Sequence, residues 1–343
     1  MLHTECVTSK TFTEEQTMRP VFSDQDKLRT AESIRKISDA PAYEIVYHGG
    51  YAMEKYLSVG ALCLDGIKRF WRDELLEGHD PDSLLPHRGC SGFTSRTPEG
   101  HVLLCHDFDT PNGAASVLLA ENAVTGRTVG LQNMKRVGWG EFDDLTKYET
   151  EAAALAVCAP YLLEDGMNSF GFAVVTSSAW GSDTGGLKGR TGLYGNSFAR
   201  AMLDSCKDTD EAVEFFKKYV VTPQEAQVHF MLCDAAGKSL VAEYTGGELR
   251  LCEPEDRFQI CSNFILYNNP SHRGKGEDRY AAYEKALSAC GGIITAEDAM
   301  ALLWENHIEN EACFSAVFDL TDRLAMIRFS DGSSRIHKYI INR

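Results

Sequence analysis

The chain has 343 residues, and its 34 Lys and Arg against 50 Asp and Glu give a formal net charge of −16. This strong acidity argues against nucleic acid and anionic membranes as partners, because phosphate binding needs a basic face. No apolar run reaches the roughly 18 residues of a membrane-spanning helix, and the first ten residues lack the pattern of a signal peptide. We therefore expect a cytoplasmic protein that binds neither membrane nor nucleic acid.

The eleven cysteines are scattered along the chain, and none forms a C-x-x-C pair or a zinc-ligand spacing with histidine. Without an export signal the compartment is expected to be reducing, so most of these thiols are predicted to stay reduced. A buried cysteine in such a protein usually serves as a small apolar side chain. The sequence predicts no metal site and no cofactor.

The first 89 residues predict a mixed segment rather than a domain of their own. A polar helix begins near Ser23 or Asp24, either of which is a suitable N-cap. The segment AYEIVYHGGY predicts a strand, and YAMEKYLSVG predicts a short helix that ends at Gly60. Residues 61–89 are mixed and end in an acidic, proline-containing loop before Cys90.

From Cys90 onward the pattern changes to paired strands. CSGFTSRT, the turn PEG and HVLLCHDFD predict a tight hairpin. Further strands are predicted at ASVLLAEN, TVGLQN, NSFGFAVVTSS, QVHFMLCD, KSLVAEYT, ELRLCE, FQICSNFILYN, CFSAVFDL, LAMIRF and SRIHKYI. Helices are predicted in the first half of ETEAAALAVCAPYLLEDG and at YGNSFARAMLDSC, TDEAVEFFKKYV, EDRYAAYEKALSAC and TAEDAMALLWENH. Strands at both ends with helices between them indicate an α+β architecture of stacked antiparallel sheets with helices outside.

The hairpin brings a thiol and a carboxylate together. Asp109 follows Cys90 by 19 residues, and a turn near residues 98–100 folds it back toward Cys90. A nucleophile and its orienting group could share that end of the sheet. On the residues alone, a structural cysteine and a surface aspartate are the simpler interpretation.

The pattern C-S-G-F-x(6)-G-x(5)-H-D-F-D resembles the opening of the linear amide C–N hydrolases. This family includes choloylglycine hydrolases, penicillin acylases, acid ceramidase-like amidases and isopenicillin N acyltransferase. Further similar segments follow in the family's order: DGMNSFGFAV, ARAMLDSCKDTDEAVEFFKK, VHFMLCDAAGKSLVAEY, ICSNF, DRYAAYEKAL and FSAVFDL. Upstream, YEIVYHGGYAMEKYLSVG resembles the prosegment of the bacterial acyltransferase-like members, so the resemblance extends from about residue 41. The resemblance implies an N-terminal nucleophile (Ntn) hydrolase with a four-layer αββα sandwich.

The resemblance also implies an activation step. Family members cut themselves before the cysteine, here between Gly89 and Cys90. Residues 1–89 would then be a retained prosegment, and residues 90–343 the catalytic domain. The freed Cys90 would supply both the thiol nucleophile and, through its α-amine, the general base. The implied substrate is a small N-acyl compound, and a homodimer or tetramer would suit the family.

By motif position, three residues match the family's other catalytic groups. Asp109 matches the carboxylate that orients the amine, and Asn263 matches the amide that holds the oxyanion. Arg279, in DRY, matches the late arginine near the nucleophile. Without the resemblance, Asn263 would be interpreted as a turn residue and Arg279 as a solvated helix residue.

The chain departs from the family where the strand usually reads G-R-N-x-D. His106 replaces the arginine and Asp107 the asparagine. A neutral imidazole lacks the arginine's charge, unless Asp107 or Asp109 raises its pKa. This replacement predicts a shifted substrate, slower or pH-gated turnover, or poor maturation.

Ser178 and Trp180 are the candidate substrate-binding residues. Ser178 stands where bile-salt hydrolases usually have asparagine, which argues against bile salts as substrates. Trp180 fits either a pocket wall or the core, and the core is the simpler interpretation.

Three functional hypotheses follow. The first is an autoprocessing Ntn amidohydrolase or acyltransferase without a cofactor. The second is a catalytically silent or unprocessed relative that serves as a binding protein. The third is a Cys–His hydrolase with an internal Cys90, for which no sequence feature selects a histidine.

Overall fold

The computed structural model describes residues 22–79, 81, 90–111, 113–139, 151–223, 227–309 and 312–342. Gly89, one side of the predicted cleavage site, lies outside these ranges.

The described part of the chain contains eight α-helices and seventeen strands. The helices are α1 Gln25–Glu32, α2 Met53–Val59, α3 Leu64–Glu74, α4 Glu151–Ala154, α5 Ser197–Ser205, α6 Thr209–Lys218, α7 Glu277–Ala289 and α8 Ala296–Glu305. The strands are β1 Arg35–Lys36, β2 Ala42–Val46, β3 Cys90–Arg96, β4 Val102–Asp109, β5 Ala115–Asn122, β6 Gly126–Asn133, β7 Leu163–Asn168, β8 Ala173–Ser178, β9 Thr191–Leu193, β10 Tyr219–Val221, β11 Val228–Cys233, β12 Ser239–Thr245, β13 Glu248–Cys252, β14 Ile260–Cys261, β15 Ala312–Asp319, β16 Leu324–Phe329 and β17 His337–Ile340. Two 3₁₀ helices, Met134–Val137 and Leu155–Leu162, precede β7. Within these ranges we find no helix with both the length and the apolar character needed to cross a bilayer.

Two large sheets form the centre of the molecule. One has nine strands in the order β1-β2-β5-β6-β7-β8-β11-β12-β13, and the other has six in the order β14-β3-β4-β15-β16-β17. The α+β sandwich is confirmed, with one difference: β2 pairs with β5 in parallel, so the larger sheet is mixed rather than antiparallel.

Side chains alternate between two buried faces in the central strands. On β4, Leu104 and Phe108 belong to the core between the sheets, whereas Leu103 and Cys105 pack with residues of α7 and α8. Strands covered on both faces show this continuous burial. A third core covers the outer face of the larger sheet with α3, α5 and α6. The result is the predicted order of layers, helix–sheet–sheet–helix.

The segment before Cys90 is part of this architecture. Its strand β2 extends the larger sheet, and α3 buries Ile67, Phe70 and Trp71. Helix α3 was not predicted, although these three residues have the i, i+3, i+4 spacing of one helix face. That residues 1–89 form a prosegment stays a prediction.

Most of the other elements were predicted from short sequence patterns such as helix caps. Oδ1 of Asp24 accepts the amide of Asp26 at 2.8 Å at the start of α1, and Oδ1 of Asp208 accepts that of Glu211 at 2.9 Å at the start of α6. The predicted strand FQICSNFILYN is wrong beyond its first part, because only Ile260 and Cys261 join the ladder. The chain then leaves the sheet at the position of Asn263.

Candidate active site

The β3–β4 hairpin brings Cys90 and Asp109 to one end of the smaller sheet. Cys90 pairs with Phe108, the residue before Asp109. The side chains of Cys90 and Phe108 face the core between the sheets. Asp109 follows on the opposite face, where α7 packs against β3. The hairpin thus separates the thiol and the carboxylate onto two faces of one strand pair.

Asn263 forms hydrogen bonds to both sheets at this end of the hairpin. The backbone nitrogen of Cys90 donates to Oδ1 of Asn263 at 3.1 Å. Nδ2 of Asn263 donates to the carbonyl of Ser178 at 3.1 Å, so the amide also reaches the end of β8 in the other sheet. These two bonds fix the orientation of the amide, with its oxygen toward Cys90.

Arg279, in the first turn of α7, holds the other side of the site. Its Nη1 donates to Oδ2 of Asp109 at 2.9 Å and to Oγ of Ser91 at 3.2 Å, while Nη2 donates to Oδ1 of Asn263 at 2.8 Å. The side chain is only 6% exposed. Gly276 has a φ of +79°, and a Cβ there would lie 2.8 Å from Nη2 of Arg279. A side chain at that position would therefore displace the guanidinium.

The carboxyls of Asp107 and Asp109 lie on the same face of β4 and differ in their protonation state. Burial raises the pKa of Asp109, and Asp107 and Arg279 oppose that rise. Burial and the neighbouring Asp109 raise the pKa of Asp107 well above its usual range. Oγ of Ser315 donates to Asp107 at 2.5 Å, and the amide of Ile308 donates to Asp109 at 3.1 Å. We therefore assign the proton to Asp107 and the charge, paired with Arg279, to Asp109.

His106 faces the core between the sheets, like Cys90. Its Nδ1 lies 2.8 Å from Oδ2 of Asp165 on β7, and its Nε2 lies 3.2 Å from Oγ of Ser177 on β8. Asp107 and Asp109 lie on the opposite face of β4, away from the imidazole of His106. The carboxylate beside the imidazole is Asp165, which the sequence analysis did not single out.

The thiol of Cys90 is in an environment that disfavours its charged form. Burial raises the pKa of Cys90 well above its usual range, and Glu164, Asp165 and Asp109 raise it further, whereas Arg279 lowers it. The thiol is therefore neutral near pH 7 in this chain, and it would need a base to act as a nucleophile.

The two candidate substrate-binding residues differ in exposure. Ser178 is buried, and its carbonyl accepts the bond from Asn263. Trp180 is 51% exposed, so its interpretation as a core residue is wrong. It forms a backbone bridge with Phe264, and Nζ of Lys275 lies 5.1 Å from the centre of its ring. An exposed indole thus lies two residues from Ser178.

Potential metal donors gather away from this end of the hairpin. Within the described ranges, one group of three side chains, His101, Asp319 and Asp322, has donor atoms within 4.8 Å of one another. They lie at the β3–β4 and β15–β16 turns, at the far end of the strands from Cys90. The ten described cysteines form no disulfide.

The comparisons with known proteins agree with this architecture. Residues 160–309 match the family model of acyl-coenzyme A:6-aminopenicillanic acid acyl-transferase. Penicillin V acylase from Agrobacterium tumefaciens has a similar structure, with a TM-score of 0.50 and 15% identity over 73% of this chain and 86% of that chain. A variant of conjugated bile acid hydrolase from Clostridium perfringens gives a TM-score of 0.49 and 14% identity over 73% and 92% of the two chains. The comparison with curated proteins finds no match.

At these identities the structural likeness concerns the fold. The family match of residues 160–309 covers the elements from β7 to α8. The chain therefore shares the fold of penicillin V acylase, and its residues 160–309 match the acyl-transferase family model.

Proposed function

We propose that this chain is a cysteine Ntn amidohydrolase or acyltransferase that acts on the linear amide bond of a small N-acyl compound. Activation is self-cleavage between Gly89 and Cys90. The observation that carries the proposal is the bond of 3.1 Å from the backbone nitrogen of Cys90 to Asn263, whose oxygen Arg279 also holds. The nitrogen that would become the free amine is thus already positioned before any cleavage.

Cleavage would turn this nitrogen into the base that the thiol needs. An α-amine has a pKa of about 7.7–8.0, close to the range in which general bases work best near neutral pH. The amine takes the proton from Sγ of Cys90, and the thiolate attacks the substrate carbonyl carbon. The proton then passes to the leaving amine as the C–N bond breaks, which leaves a thioester on Cys90.

Asn263 would stabilise the tetrahedral intermediate. Its amide nitrogen carries two hydrogens, and one of them donates to the carbonyl of Ser178. We assign the second hydrogen to the oxyanion. One such donor contributes about 10²–10³-fold to turnover in comparable sites. Arg279 keeps the amide in this orientation, because its guanidinium can only donate and so requires the oxygen on its side.

The second half of the reaction decides between hydrolysis and acyl transfer. Water attacking the thioester gives an acid, whereas an acceptor amine gives a new amide. In both cases the amine of Cys90 takes a proton from the attacking group, and the thiol is restored. The match of residues 160–309 to an acyl-transferase family supports testing amine acceptors as well as water.

A catalytically silent binding protein is the second candidate. His106 at the position of the family's arginine favours it, as do the carboxylates of Glu164 and Asp165, which raise the pKa of Cys90. Such a protein would bind an N-acyl compound between the sheets without cutting its own chain.

Intact mass under denaturing conditions distinguishes the two candidates. We expect the wild-type chain to give two fragments split between Gly89 and Cys90, and Cys90→Ala to give one. The cleaved protein is then mixed with a panel of N-acyl amides and quenched in acid, and Cys90 should carry the mass of the acyl group. A wild-type chain that stays whole for days while still binding N-acyl compounds would support the silent candidate and overturn the first.

A further inference from the structure

A second buried histidine lies between the sheets on β11, apart from the groups that carry the proposed reaction. Nδ1 of His229 is 3.3 Å from Oε2 of Glu243, and Nε2 is 2.7 Å from the carbonyl oxygen of Ser262. Nε2 also lies 3.0 Å from Sγ of Cys261. A carbonyl and a carboxylate can only accept, so each ring nitrogen carries a hydrogen. This arrangement is that of an imidazolium.

The charges of the pair agree with this assignment. Burial alone would lower the pKa of His229, but Cys261 and Glu243 outweigh it and raise that pKa to about 10. Burial alone would raise the pKa of Glu243, but His229 and the amides of Tyr267 and Leu266 lower it. His229 and Glu243 therefore form an ion pair at neutral pH.

This ion pair contacts the chain on both sides of Asn263. Before it, the carbonyl of Ser262 accepts from His229. After it, the amide of Leu266 donates to Glu243 at 3.1 Å and the amide of Tyr267 at 2.6 Å. One buried pair from the larger sheet thus fixes both ends of the segment 262–267.

The segment needs such support because β14 ends at Cys261. Beyond that residue the described chain has two isolated bridges, Asn263 with Lys275 and Phe264 with Trp180, instead of a continuous ladder at the position that presents the Asn263 amide to Cys90. We propose that His229 and Glu243 are positioning residues, whose buried ion pair fixes the segment 262–267 and thereby holds Asn263 on the nitrogen of Cys90. The effect on turnover rests on the proposed function.

Within the described ranges, few other titratable groups face this pair. From β14 it is Cys261. From β13 they are Cys252, whose Sγ lies 3.7 Å from Oε1 of Glu243, and Arg250, the register partner of Glu243. On β8 the register partner of His229 is Ser177, which hydrogen-bonds to His106. Beyond Ser177 lies the His106–Asp165 pair.

Glu243→Gln is the sharpest variant. The amide keeps the volume and an oxygen for one of the two backbone amides of the segment. It removes one of the groups that, with Cys261, raise the pKa of His229. Asp204→Asn is the matched control, because Asp204 forms a buried ion pair of 2.8 Å with Arg200 on α5, on the outer face of the larger sheet.

We expect Glu243→Gln to lower kcat by about 100-fold with a smaller change in KM, since a displacement of about 1 Å has effects of this size. The alkaline limb of its kcat profile should move down by at least one pH unit. Asp204→Asn should keep the wild-type profile. An unchanged kcat and profile in Glu243→Gln would overturn the positioning role.

Hydrogen exchange separates this proposal from the proposed function. The amides of Leu266 and Tyr267 should exchange at least tenfold faster in Glu243→Gln than in the wild type and in Asp204→Asn. If this difference appears although the wild type neither cleaves itself nor turns over a substrate, the ion pair does fix the segment 262–267 and the proposed function fails. Equal exchange in all three proteins would show that the ion pair does not fix the segment.

A wild-type measurement covers the case in which Glu243→Gln does not fold. The ring ¹⁵N shifts of His229 should show both nitrogens protonated at pH 8. A neutral ring at pH 8 overturns the proposal.

Discussion

Nδ1 of His106 lies 2.8 Å from Oδ2 of Asp165, and both side chains are fully buried between the two sheets. The linear amide hydrolases that the β3–β4 hairpin resembles have an arginine in place of His106. An arginine keeps its charge at any pH in the working range, whereas a histidine can lose it. The electrostatics around Cys90 therefore depend in part on Asp165, a carboxylate from the opposite sheet.

Asp165→Asn should make the thiol of Cys90 more acidic. Asp165 is one of the carboxylates that raise the pKa of Cys90, so its removal should lower that pKa. We expect the pH of half-maximal Cys90 alkylation by iodoacetamide, read by peptide mass, to move down. The exposed Asp256 provides the control, and Asp256→Asn should leave that pH unchanged. A shift of equal size in both variants would show that only net charge matters.

His106→Arg restores the residue type of the family pattern. It should speed self-cleavage, whereas a neutral replacement should slow it. A guanidinium beside Asp165 places a fixed positive charge on the face of the sheet that holds Cys90, and such a charge favours the thiolate. We expect faster self-cleavage than in the wild type at pH 6, followed by intact mass over time, and slower cleavage in His106→Gln. Equal rates in all three proteins would show that position 106 does not influence maturation.

The hairpin and several elements could be predicted because their signals are local. The runs of β3 and β4, the turn between them and the cap at Asp24 all lie within a few residues of the elements they define. The same local signal placed Cys90 and Asp109 at one end of the sheet. It could not show that they face opposite sides, because the face depends on which layer covers each side.

The partners from the second sheet could not be predicted for a similar reason. Asp165 lies in an otherwise unremarkable strand, 59 residues from His106, and His229 and Glu243 are single polar residues within apolar runs. Their contacts depend on how two sheets stack, and no local pattern encodes that register. A polar residue within a strand that is buried on both faces is the one signal that points to them, since it requires a partner.

Arg279 and Asp109 should behave as one energetic unit. Removing one partner of a buried ion pair typically costs about 3–5 kcal/mol, because the other charge is left uncompensated. We expect Arg279→Gln and Asp109→Asn each to lower the free energy of unfolding in urea by about that amount. The double variant should lose much less than the sum of the two. Additive losses would contradict the pairing seen at 2.9 Å.

Trp180→Ala should affect substrate binding without affecting stability. The indole is 51% exposed, and surface substitutions usually change the free energy of unfolding by no more than about 0.5 kcal/mol. If Trp180 contacts the acyl group, KM rises several-fold while the thermal midpoint stays constant. Leu251→Ala removes another exposed apolar side chain and should leave KM unchanged. Unchanged KM in Trp180→Ala for every N-acyl substrate that is turned over would remove Trp180 from the site.

The His229–Glu243 pair should make stability depend on alkaline pH. The pKa of His229 is raised to about 10 in the folded chain, against about 6.5 in an unfolded one. Its contribution is therefore complete below about pH 6.5 and is lost as the pH rises through about 10. Between these two pH values the folded chain binds one more proton at His229 than the unfolded chain does. The contribution of this group to the free energy of unfolding therefore falls by about 1.4 kcal/mol per pH unit. Urea unfolding of the wild type and Glu243→Gln at pH 7, 8 and 9 isolates it, since the cysteines are the same in both proteins. The stability difference between them should shrink as the pH rises, and a difference that stays constant would mean that Glu243 does not raise the pKa of His229 in the folded chain.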